Sequence, residues 1–314
     1  MKVNYSTPAT HPTASVVQWW VDEIEKRTNG RVELELYLSS ELATNMEALA
    51  TLSGGAYEIG YLVPGFYPAQ FPLAAMPSSM MGLTSTILQA GYYAHEVQKL
   101  EPLMEEAEAN NVHFLYSNAA SNYLMLSKNP VTSLDDLKGL KVRTFGPHFP
   151  KHVEHFGATP VSIPAIEAYD AFATGAMDAF PTMVSDHVVY NFTDIAKNLY
   201  DLKLGTLPWS TMYMNLDVWE SLPEDIQNVF TEVSADALEY SAEMWVVREN
   251  EDLEKLKADG VTIHPASAED QQAWNDQTKV LLDAWAADME TQGKGDAARS
   301  MIELVDTIKA KYPD

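Results

Sequence analysis

Residues 47–62 read EALATLSGGAYEIGYL, and residues 167–182 read EAYDAFATGAMDAFPT, a similar stretch displaced by 120 positions. Each stretch predicts a helix, a glycine turn and a strand. The pairs that the shift aligns include Glu47 with Glu167, Gly55 with Gly175, Ala56 with Ala176, and Glu58 with Asp178. The agreement indicates two lobes of similar design, and chance agreement between two helix–glycine–strand junctions is the alternative.

The elements predicted around both stretches follow the same order. Around the first they are a strand over Lys2–Ser6, a helix over Ala14–Arg27, a strand over residues 31–38, a helix over Thr44–Ser53 and a strand over Tyr57–Val63. Around the second they are a strand over Lys141–Phe145, a helix over Phe149–Phe156, a strand over residues 158–163, a helix over Ile166–Ala173 and a strand over Met177–Thr182. This repeated order predicts the α/β class, with mostly parallel sheets and helices on their faces.

The segments between the two copies are predicted to connect the lobes. Phe71–Gly82 is apolar and rich in methionine, which indicates a buried linker, and Gly91–Asn110 predicts one helix. Strands that cross between the lobes are predicted within residues 112–117, 123–127 and 207–219.

The last third of the chain predicts helices. Residues 223–260 contain few helix breakers and open with a proline and two acidic residues, a common start for a helix. A helix of this length would reach across two lobes and brace them. Two further helices are predicted over Ala268–Glu290 and Asp296–Lys311.

Composition excludes several classes of function. The chain carries 45 acidic and 20 basic residues, a formal net charge of −25, so nucleic acid and anionic membrane surfaces repel it. Cysteine is absent, which removes disulfides, thiolate metal sites and cysteine nucleophiles. No apolar run approaches the ~18 residues of a membrane-spanning helix. The N-terminal sequence MKVNYST lacks the apolar core of a signal peptide, so we expect either a cytosolic protein or a mature exported form.

The stretch KGLKVRTFGPHF, residues 138–149, places an arginine in a predicted strand. Alternation puts Arg143 and Phe145 on the same face of this strand. Arg143 needs a partner, which is either an internal carboxylate, such as Asp178 or Asp186, or a ligand that comes and goes. A buried ion pair adds little net stability, whereas a planar guanidinium binds a carboxylate in a bidentate manner, which favours the ligand.

Aromatic residues gather at the predicted carboxyl ends of strands and on the crossing strands, which are the edges where open α/β sheets bind ligands. They are Tyr5, Phe66, Tyr67, Tyr123, Phe145, Phe180, Trp209 and Tyr213. Each of them alone suits a core position, but together with Arg143 they predict a ligand cleft.

Motifs for catalysis and metal binding are weak in this sequence. The chain has no nucleophile elbow, no phosphate-binding loop and no dinucleotide-binding glycine motif. His148, His152 and His155 could form a zinc site, but a helix surface with scattered histidines is the preferred interpretation. We therefore expect no metal and no cofactor.

Two functions are alternatives to a transport receptor. One is an α/β enzyme that uses His11 or His148 on a carboxylate substrate, and the other is a sensory binding module.

Five stretches carry a resemblance to a known family. They are residues 10–65, SLDDLKGLKVRTFG at 133–146, GATPVSIP at 157–164, EAYDAFATGAMDA at 167–179 and NLDVWESLPEDIQ at 215–227. Together they resemble the solute-binding proteins of tripartite ATP-independent periplasmic (TRAP) transporters, in the dicarboxylate-binding, DctP-like group. The resemblance covers nearly the whole chain in the same order.

This resemblance implies a two-lobe periplasmic-binding-protein fold of type II character, with mixed, mostly parallel sheets and a long helix bracing both lobes. Lobe I would comprise residues 1–122 and about 213–250, and lobe II about 123–212 and about 251–314. The protein would be a periplasmic monomer, a mature form without its signal peptide, that closes around an organic acid and docks on the membrane permease subunits. It would not be an enzyme and would bind no nucleic acid.

The resemblance also implies roles for individual residues. The family arginine of the LKxR pattern corresponds to Arg143, which would bind the ligand carboxylate. Thr182 stands where relatives carry asparagine, and Tyr123 stands where sialic-acid binders carry a second arginine, so a monocarboxylate with an apolar or aromatic body is favoured over sialic acid or a compact dicarboxylate. The predicted ligand-binding residues are Arg143, Tyr123, Thr182, Phe66, Phe145, Phe180, Trp209, Tyr213, His11 and Asp186.

Overall fold

The computed structural model describes residues 1–118, 120–163, 167–207 and 211–313, and its chain divides into two compact units. Unit 1 comprises Met1–Ser78, Gly91–Ala120 and Pro208–Met244, and unit 2 comprises Ser79–Ala90, Ser121–Leu207 and Trp245–Asp314.

The segment from residue 79 to residue 90 lies in unit 2, although the sequence analysis places it in lobe I. Two hydrogen bonds give the physical reason. The amide of Gly82 donates to the carbonyl of Leu204 at 2.9 Å, and the side-chain amide of Gln89 donates to the carbonyl of Tyr312 at 2.8 Å. Both acceptors belong to unit 2, so this segment packs with the unit that its hydrogen bonds reach.

The helices and strands alternate through most of the chain. In order they are β1 (Lys2–Asn4), α1 (Pro12–Arg27), β2 (Glu35–Tyr37), α2 (Ala48–Ser53), β3 (Ile59–Leu62), α3 (Ile87–Val97), α4 (Glu101–Glu108), β4 (Val112–Ser117), β5 (Tyr123–Ser127), β6 (Lys141–Thr144) and α5 (Phe149–His155). They continue with β7 (Thr159–Ser162), α6 (Ala168–Thr174), β8 (Ala179–Met183), α7 (Val184–Val189), β9 (Asn198–Asp201), β10 (Thr211–Asn215), α8 (Leu216–Ser221), α9 (Glu224–Ala258), β11 (Thr262–Pro265), α10 (Ala268–Thr291) and α11 (Gly295–Lys311).

Each unit is built on its own mixed sheet. The sheet of unit 1 has the order β2-β1-β3-β10-β4, in which β1 runs parallel to β2 and β3, and β10 runs antiparallel to β3 and β4. The sheet of unit 2 has the order β11-β9-β5-β8-β6-β7, in which β6 runs parallel to β7 and β8, and β5 runs antiparallel to β8 and β9. The predicted α/β class with mixed sheets is confirmed.

The two sheets repeat one pattern, with β2-β1-β3-β10 corresponding to β7-β6-β8-β5. Val3 on β1 pairs with Ile59 on β3, and Val142 on β6 pairs with Ala179 on β8. Ile59 and Ala179 are separated by the same 120 positions as the two similar sequence stretches. The two similar stretches therefore occupy equivalent places in the two sheets.

A side-chain contact recurs in the same place in both units. Oε2 of Glu58 accepts a hydrogen bond from the amide of Lys2 at 2.6 Å, and Oδ2 of Asp178 accepts one from the amide of Lys141 at 2.9 Å. In each unit, the carboxylate just before one strand thus satisfies the first amide of the neighbouring parallel strand. An amide at the start of a strand without an acceptor would carry a free-energy cost, so these carboxylates stabilise the start of the strand pair.

Helix α1 shows how the core of unit 1 forms. The predicted apolar face of this helix is buried, with Val17, Trp20 and Ile24 packed against the sheet residues Val3 and Ile59. Burial of such side chains contributes ~1.5–3 kcal/mol each to the free energy of folding. The corresponding core of unit 2 brings together residues of β5, β8, α6, β9 and the C-terminal part of α9.

Several predicted elements are shorter than expected, and two of them have a clear physical reason. The single helix predicted over Gly91–Asn110 is wrong, because the backbone is extended at Leu100 and a new helix, α4, starts with Pro102 in its first turn, where no amide is needed. The crossing strand predicted within residues 207–219 ends at Asn215, whose Oδ1 accepts a hydrogen bond from the amide of Val218 at 3.2 Å and caps α8.

The predicted long helix is confirmed as α9, which has 35 residues and a length of about 52 Å. Its residues up to Met244 belong to unit 1, and those from Trp245 onward belong to unit 2. The predicted linker Phe71–Gly82 is almost wholly buried. Among the described residues, no helix combines the length and the apolar character that crossing a membrane requires.

We expect Asp178→Ala to lower the free energy of unfolding by about 1–3 kcal/mol, because the amide of Lys141 then loses its acceptor. Urea unfolding measures this change. Asp135→Ala removes an exposed carboxylate of the same unit, so it is the control and should cost less than about 1 kcal/mol. Equal losses in the two variants would contradict the structural role of Asp178.

Stability should also fall in mild acid, because His187 is buried in unit 2. Its Nε2 donates to the carbonyl of Leu124 at 3.2 Å, and burial lowers its pKa to about 4. The unfolded chain takes up a proton below pH ~6.5 and the folded chain does not, so the free energy of unfolding decreases by about 1.4 kcal/mol per pH unit between pH ~6.5 and ~4.

Urea unfolding at pH 7 and pH 4.5 tests this linkage. His187→Asn removes the titrating group, so its loss of stability between the two pH values should be about 2 kcal/mol smaller than that of the parent. His155→Asn, at an exposed position, controls for removal of a histidine. If His187→Asn keeps the full pH dependence of the parent, the assignment to His187 is wrong.

Candidate functional site

Arg143 lies on β6, between β7 and β8 of unit 2. The strand alternates as predicted, with Val142 and Thr144 buried and Lys141 and Arg143 half-buried. After β6 the chain turns at Gly146, whose φ of 63° lies in the left-handed region that glycine tolerates. This turn leads into α5.

The guanidinium of Arg143 is fixed at one of its nitrogens. Its Nε donates to the carbonyl of Ile163, just beyond β7, at 2.8 Å. Its Cζ lies 5.7 Å from the centre of the Phe145 ring, within the range of a cation–π contact. Among the described residues, no acceptor engages the two terminal nitrogens of Arg143.

Neither predicted internal carboxylate pairs with Arg143. Asp178 accepts from the amide of Lys141, and Oδ2 of Asp186 accepts from the hydroxyl of Thr182 at 2.6 Å. In the part of the chain that the structure describes, no carboxylate forms an ion pair with the Arg143 guanidinium.

Electrostatics make this arrangement unfavourable for the protein alone. Burial lowers the pKa of Arg143, and the fields of Tyr123 and Asp186 oppose that shift. An arginine stays protonated at any physiological pH, so the half-buried charge has lost water without gaining an ion pair among the described residues. A bound carboxylate would supply the missing charge and two acceptors.

Aromatic side chains line the same region of unit 2. The ring of Tyr123, on β5, lies 6.3 Å from the ring of Phe145, and Phe145 lies 5.2 Å from Phe149 on α5. Tyr123 is almost completely buried and Phe145 is half-buried. Such rings can pack against an apolar or aromatic ligand.

The fold explains why these side chains meet. Strand β8 lies between β5 and β6, and Leu124 on β5 pairs with Thr182 on β8. Phe145 and Thr182 stand three residues beyond the paired residues Val142 and Ala179, so they lie at the same level of the sheet. The structure thus gathers five predicted site residues in unit 2: Arg143, Tyr123, Phe145, Thr182 and Asp186.

Phe180, which the sequence analysis also assigns to the ligand, lies in the core. Its ring makes edge contacts with Phe172 at 5.2 Å and Phe192 at 4.9 Å, and it is fully buried. These contacts give Phe180 a packing role, and we do not include it in the site.

The remaining predicted residues belong to unit 1. His11 caps α1, where its Nδ1 accepts from the amide of Thr13 at 3.2 Å, and Tyr213 is fully buried with its hydroxyl 3.2 Å from Oε1 of Gln98. Phe66 ends a short 3₁₀ turn and packs half-buried against the core. Trp209 lies outside the described residues.

The histidines of α5 differ from the prediction of an exposed helix surface. His152 is buried, stacks on Trp274 at 4.6 Å and places its Nε2 3.1 Å from the hydroxyl of Thr278, and burial lowers its pKa to about 3. His155 is exposed beside Phe156. Within the described ranges, no group of three histidine, aspartate or glutamate side chains could hold a metal ion.

Sequence reasoning missed one contributor to the site, the carbonyl of Ile163. It orients the guanidinium of Arg143 through the backbone, so its side chain gives no chemical signal. The pairing of β6 with β7, in which Arg143 stands opposite Val161, brings the carbonyl into place.

Comparison with known proteins identifies the chain. Residues 3–288 match the family described as bacterial extracellular solute-binding protein, family 7 (DctP). The C4-dicarboxylate-binding periplasmic protein DctP of Rhodobacter capsulatus is 26% identical over 268 residues, which are 83% of this chain and 79% of the relative.

Solved structures show the same fold. A TRAP periplasmic solute-binding protein from Desulfovibrio salexigens, whose ligand-binding site holds the C-terminus of a symmetry mate, is 25% identical and superposes with a TM-score of 0.86 over 100% of this chain and 96% of that chain. Another from Desulfovibrio salexigens, with bound orotic acid, is 19% identical, with a TM-score of 0.85 over 98% of this chain and 98% of that chain.

The predicted family, fold and non-enzymatic receptor function are confirmed by these matches, since the relatives are solute-binding proteins of transporters. Members of the family are periplasmic and work with membrane permease components. The match spans most of the 314 residues, so the chain belongs to the bacterial extracellular solute-binding proteins of family 7, the DctP-like receptors of TRAP transporters.

Proposed function

We propose that this protein is a monomeric periplasmic receptor that binds a small organic acid through Arg143 and delivers it to the permease of a TRAP transporter. The observation that carries the proposal is the half-buried guanidinium of Arg143, which has no carboxylate partner among the described residues. In a protein of net charge −25, such a site supplies the local positive charge that an anion needs.

The geometry of Arg143 suits a bidentate contact. Its Nε is held by the carbonyl of Ile163, so the rotation of the guanidinium is restricted and its two terminal nitrogens keep a fixed direction. Preorganised donors of this kind lose little entropy when the ligand binds. Truncating one partner of a desolvated charge pair costs ~2–5 kcal/mol, which is the size of effect we expect here.

The side chains around Arg143 favour a ligand with an apolar or aromatic body. Phe145 presents its ring to the guanidinium, Tyr123 packs against Phe145, and Thr182 provides a hydroxyl on β8. The Rhodobacter capsulatus relative is named for C4-dicarboxylates, and one Desulfovibrio salexigens structure holds orotic acid. A carboxylate is common to both ligands, which supports the role of Arg143, while the rings of this chain support a monocarboxylate.

We expect Arg143→Ala to weaken the binding of an organic acid at least about tenfold, because the carboxylate loses its charged donor. A thermal-shift screen of mono-, di-, keto- and aromatic acids finds the acid to use, and calorimetry then gives the affinity of parent and variant. Lys138→Gln removes an exposed positive charge close by in sequence and serves as the control, with an affinity within threefold of the parent. An unchanged affinity in Arg143→Ala would rule out its assigned role.

The second prediction concerns the ring of Phe145. Phe145→Ala should weaken the binding of an acid with a phenyl group about tenfold, and that of a two- or three-carbon acid less than threefold, because only the larger body reaches the ring. Phe145→Leu keeps apolar bulk and should recover part of the loss. The same calorimetric titrations measure both variants, and equal losses for large and small acids would show that the ring does not contact the ligand.

A further inference from the structure

A glutamate on α9 holds the segment that leads into β5. Oε2 of Glu249 accepts hydrogen bonds from the hydroxyl of Ser121 at 2.8 Å and from the amide of Asn122 at 2.5 Å, and its Oε1 accepts one from Nδ2 of Asn122 at 2.7 Å. Ser121 is buried, and Asn122 and Glu249 are half-buried. Hydrogen bonds to a carboxylate are stronger than those between neutral groups, so Glu249 fixes both the backbone and the side chain of Asn122.

Asn122 immediately precedes Tyr123, the aromatic residue of the candidate site on β5. The pairing of β9 with β5 covers only Met125–Ser127. The two amides at the start of β5 have acceptors outside the sheet, which are Oε2 of Glu249 for Asn122 and the carbonyl of Gly205, at 2.9 Å, for Tyr123. The backbone that carries the Tyr123 ring is therefore held on both sides of one peptide bond.

The carbonyl of Asn122 is also bonded, and it reaches the element that follows β8. It accepts a hydrogen bond from the amide of Val184 at 2.8 Å. Val184 is the first residue of α7 and comes directly after β8, the strand that carries Thr182. A shift of Asn122 would therefore disturb the end of β8 as well as the start of β5.

Ring contacts connect the same segment to Arg143. The ring of Tyr123 lies 6.3 Å from the ring of Phe145, and the Phe145 ring lies 5.7 Å from Cζ of Arg143. The series from Glu249 to the guanidinium thus consists of a hydrogen bond, a peptide bond and two ring contacts. Binding sites need supporting residues of this kind, because a displacement of ~1 Å in the groups that contact a ligand weakens their interaction with it.

We propose that Glu249 is a positioning residue for the ligand site of unit 2, which holds Asn122 so that the ring of Tyr123 packs against the apolar body of an organic acid. This inference rests on the proposed function, and it adds a residue of α9 that acts on ligand selectivity through Tyr123. Because a ring contacts the body of the acid rather than its carboxylate, loss of Glu249 should weaken the binding of large acids more than that of small ones.

Glutamine at position 249 tests the three hydrogen bonds with little change in size. Glu249→Gln replaces one acceptor oxygen by an amide nitrogen, which cannot accept from Ser121 or Asn122. Calorimetry on the full-length protein should show an affinity for 3-phenylpropionate at least about fivefold weaker, and an affinity for propionate changed less than about twofold. Glu251→Gln, at an exposed position of the same helix, is the control and should keep both affinities within about twofold of the parent.

A double-variant cycle shows whether Glu249 acts through Tyr123. Tyr123→Ala removes the ring and should itself weaken the binding of 3-phenylpropionate. Adding Glu249→Gln to Tyr123→Ala should then change that affinity by less than about twofold, because the ring that Glu249 positions is gone. A role in folding alone would weaken the binding of both acids in the same proportion, whether or not the ring is present.

An exchange of polar groups tests whether the hydrogen bonds themselves are responsible. In the double variant Asn122→Asp and Glu249→Gln, the side-chain amide at 249 can donate to the carboxylate at 122, and its oxygen can accept from the backbone amide at 122. The pair keeps its single negative charge. The affinity for 3-phenylpropionate should return to within about threefold of the parent.

Circular dichroism establishes that each variant is folded before it is titrated. If Glu249→Gln does not fold, Asn122→Ala replaces it in the titrations and in the cycle. Asn122→Ala removes only the bond to Oε1 and keeps the backbone bond to Oε2, and the same selective loss for 3-phenylpropionate is expected.

The outcomes distinguish this inference from the proposed function. If 3-phenylpropionate binding depends on Arg143 while Glu249→Gln leaves it unchanged or weakens both acids equally, Glu249 is not a positioning residue and the proposed function stands. Additive losses in the cycle, an unchanged affinity in Tyr123→Ala, no recovery in the exchange variant, or a parent that binds acids through Arg143 but not 3-phenylpropionate also overturn the inference. If no acid depends on Arg143, both the proposed function and the inference are wrong.

Discussion

The site depends on one constraint, a guanidinium that is withdrawn from water and held by a backbone carbonyl instead of a carboxylate. Arg143 bonds to Ile163 through Nε alone, and both nearby aspartates bond elsewhere. A charge in this state raises the free energy of the unliganded protein and lowers it again when an anion arrives. We therefore propose that this charge gives the folded chain its affinity for a carboxylate, even though the overall charge of the chain repels anions.

The internal repeat shows how one scaffold carries both a structural and a binding position. By register, Asn4 on β1 is the counterpart of Arg143 on β6. Asn4 is buried and satisfied within unit 1, since its amide donates to the carbonyl of Ala43 at 3.0 Å and its Oδ1 accepts from the amide of Leu42 at 3.2 Å. Unit 2 places an arginine at the same position, and among the described residues no acceptor engages its terminal nitrogens, which we propose bind the ligand.

Much of the fold and part of the candidate site could be predicted from the sequence, because they depend on periodic spacing or on a charged residue in an unusual place. The apolar face of α1, the 120-residue repeat and the long helix α9 follow from spacing, and Arg143 follows from a charge in a strand. The features that the sequence could not predict also have physical reasons. Phe180 looks the same in sequence whether it packs against Phe172 or a ligand, and the carbonyl of Ile163 has no side-chain signal. Short strands such as β9 are too brief for periodicity to reveal.

The central claim is that the terminal nitrogens of Arg143 bind the carboxylate of a ligand. The most direct measurement is a crystal structure of the protein with the tightest-binding acid from the thermal-shift screen. The account predicts both carboxylate oxygens at ~2.7–2.9 Å from the guanidinium, with the bond to Ile163 retained. A structure in which Arg143 pairs with Asp178 or Asp186 while the acid binds elsewhere would contradict it.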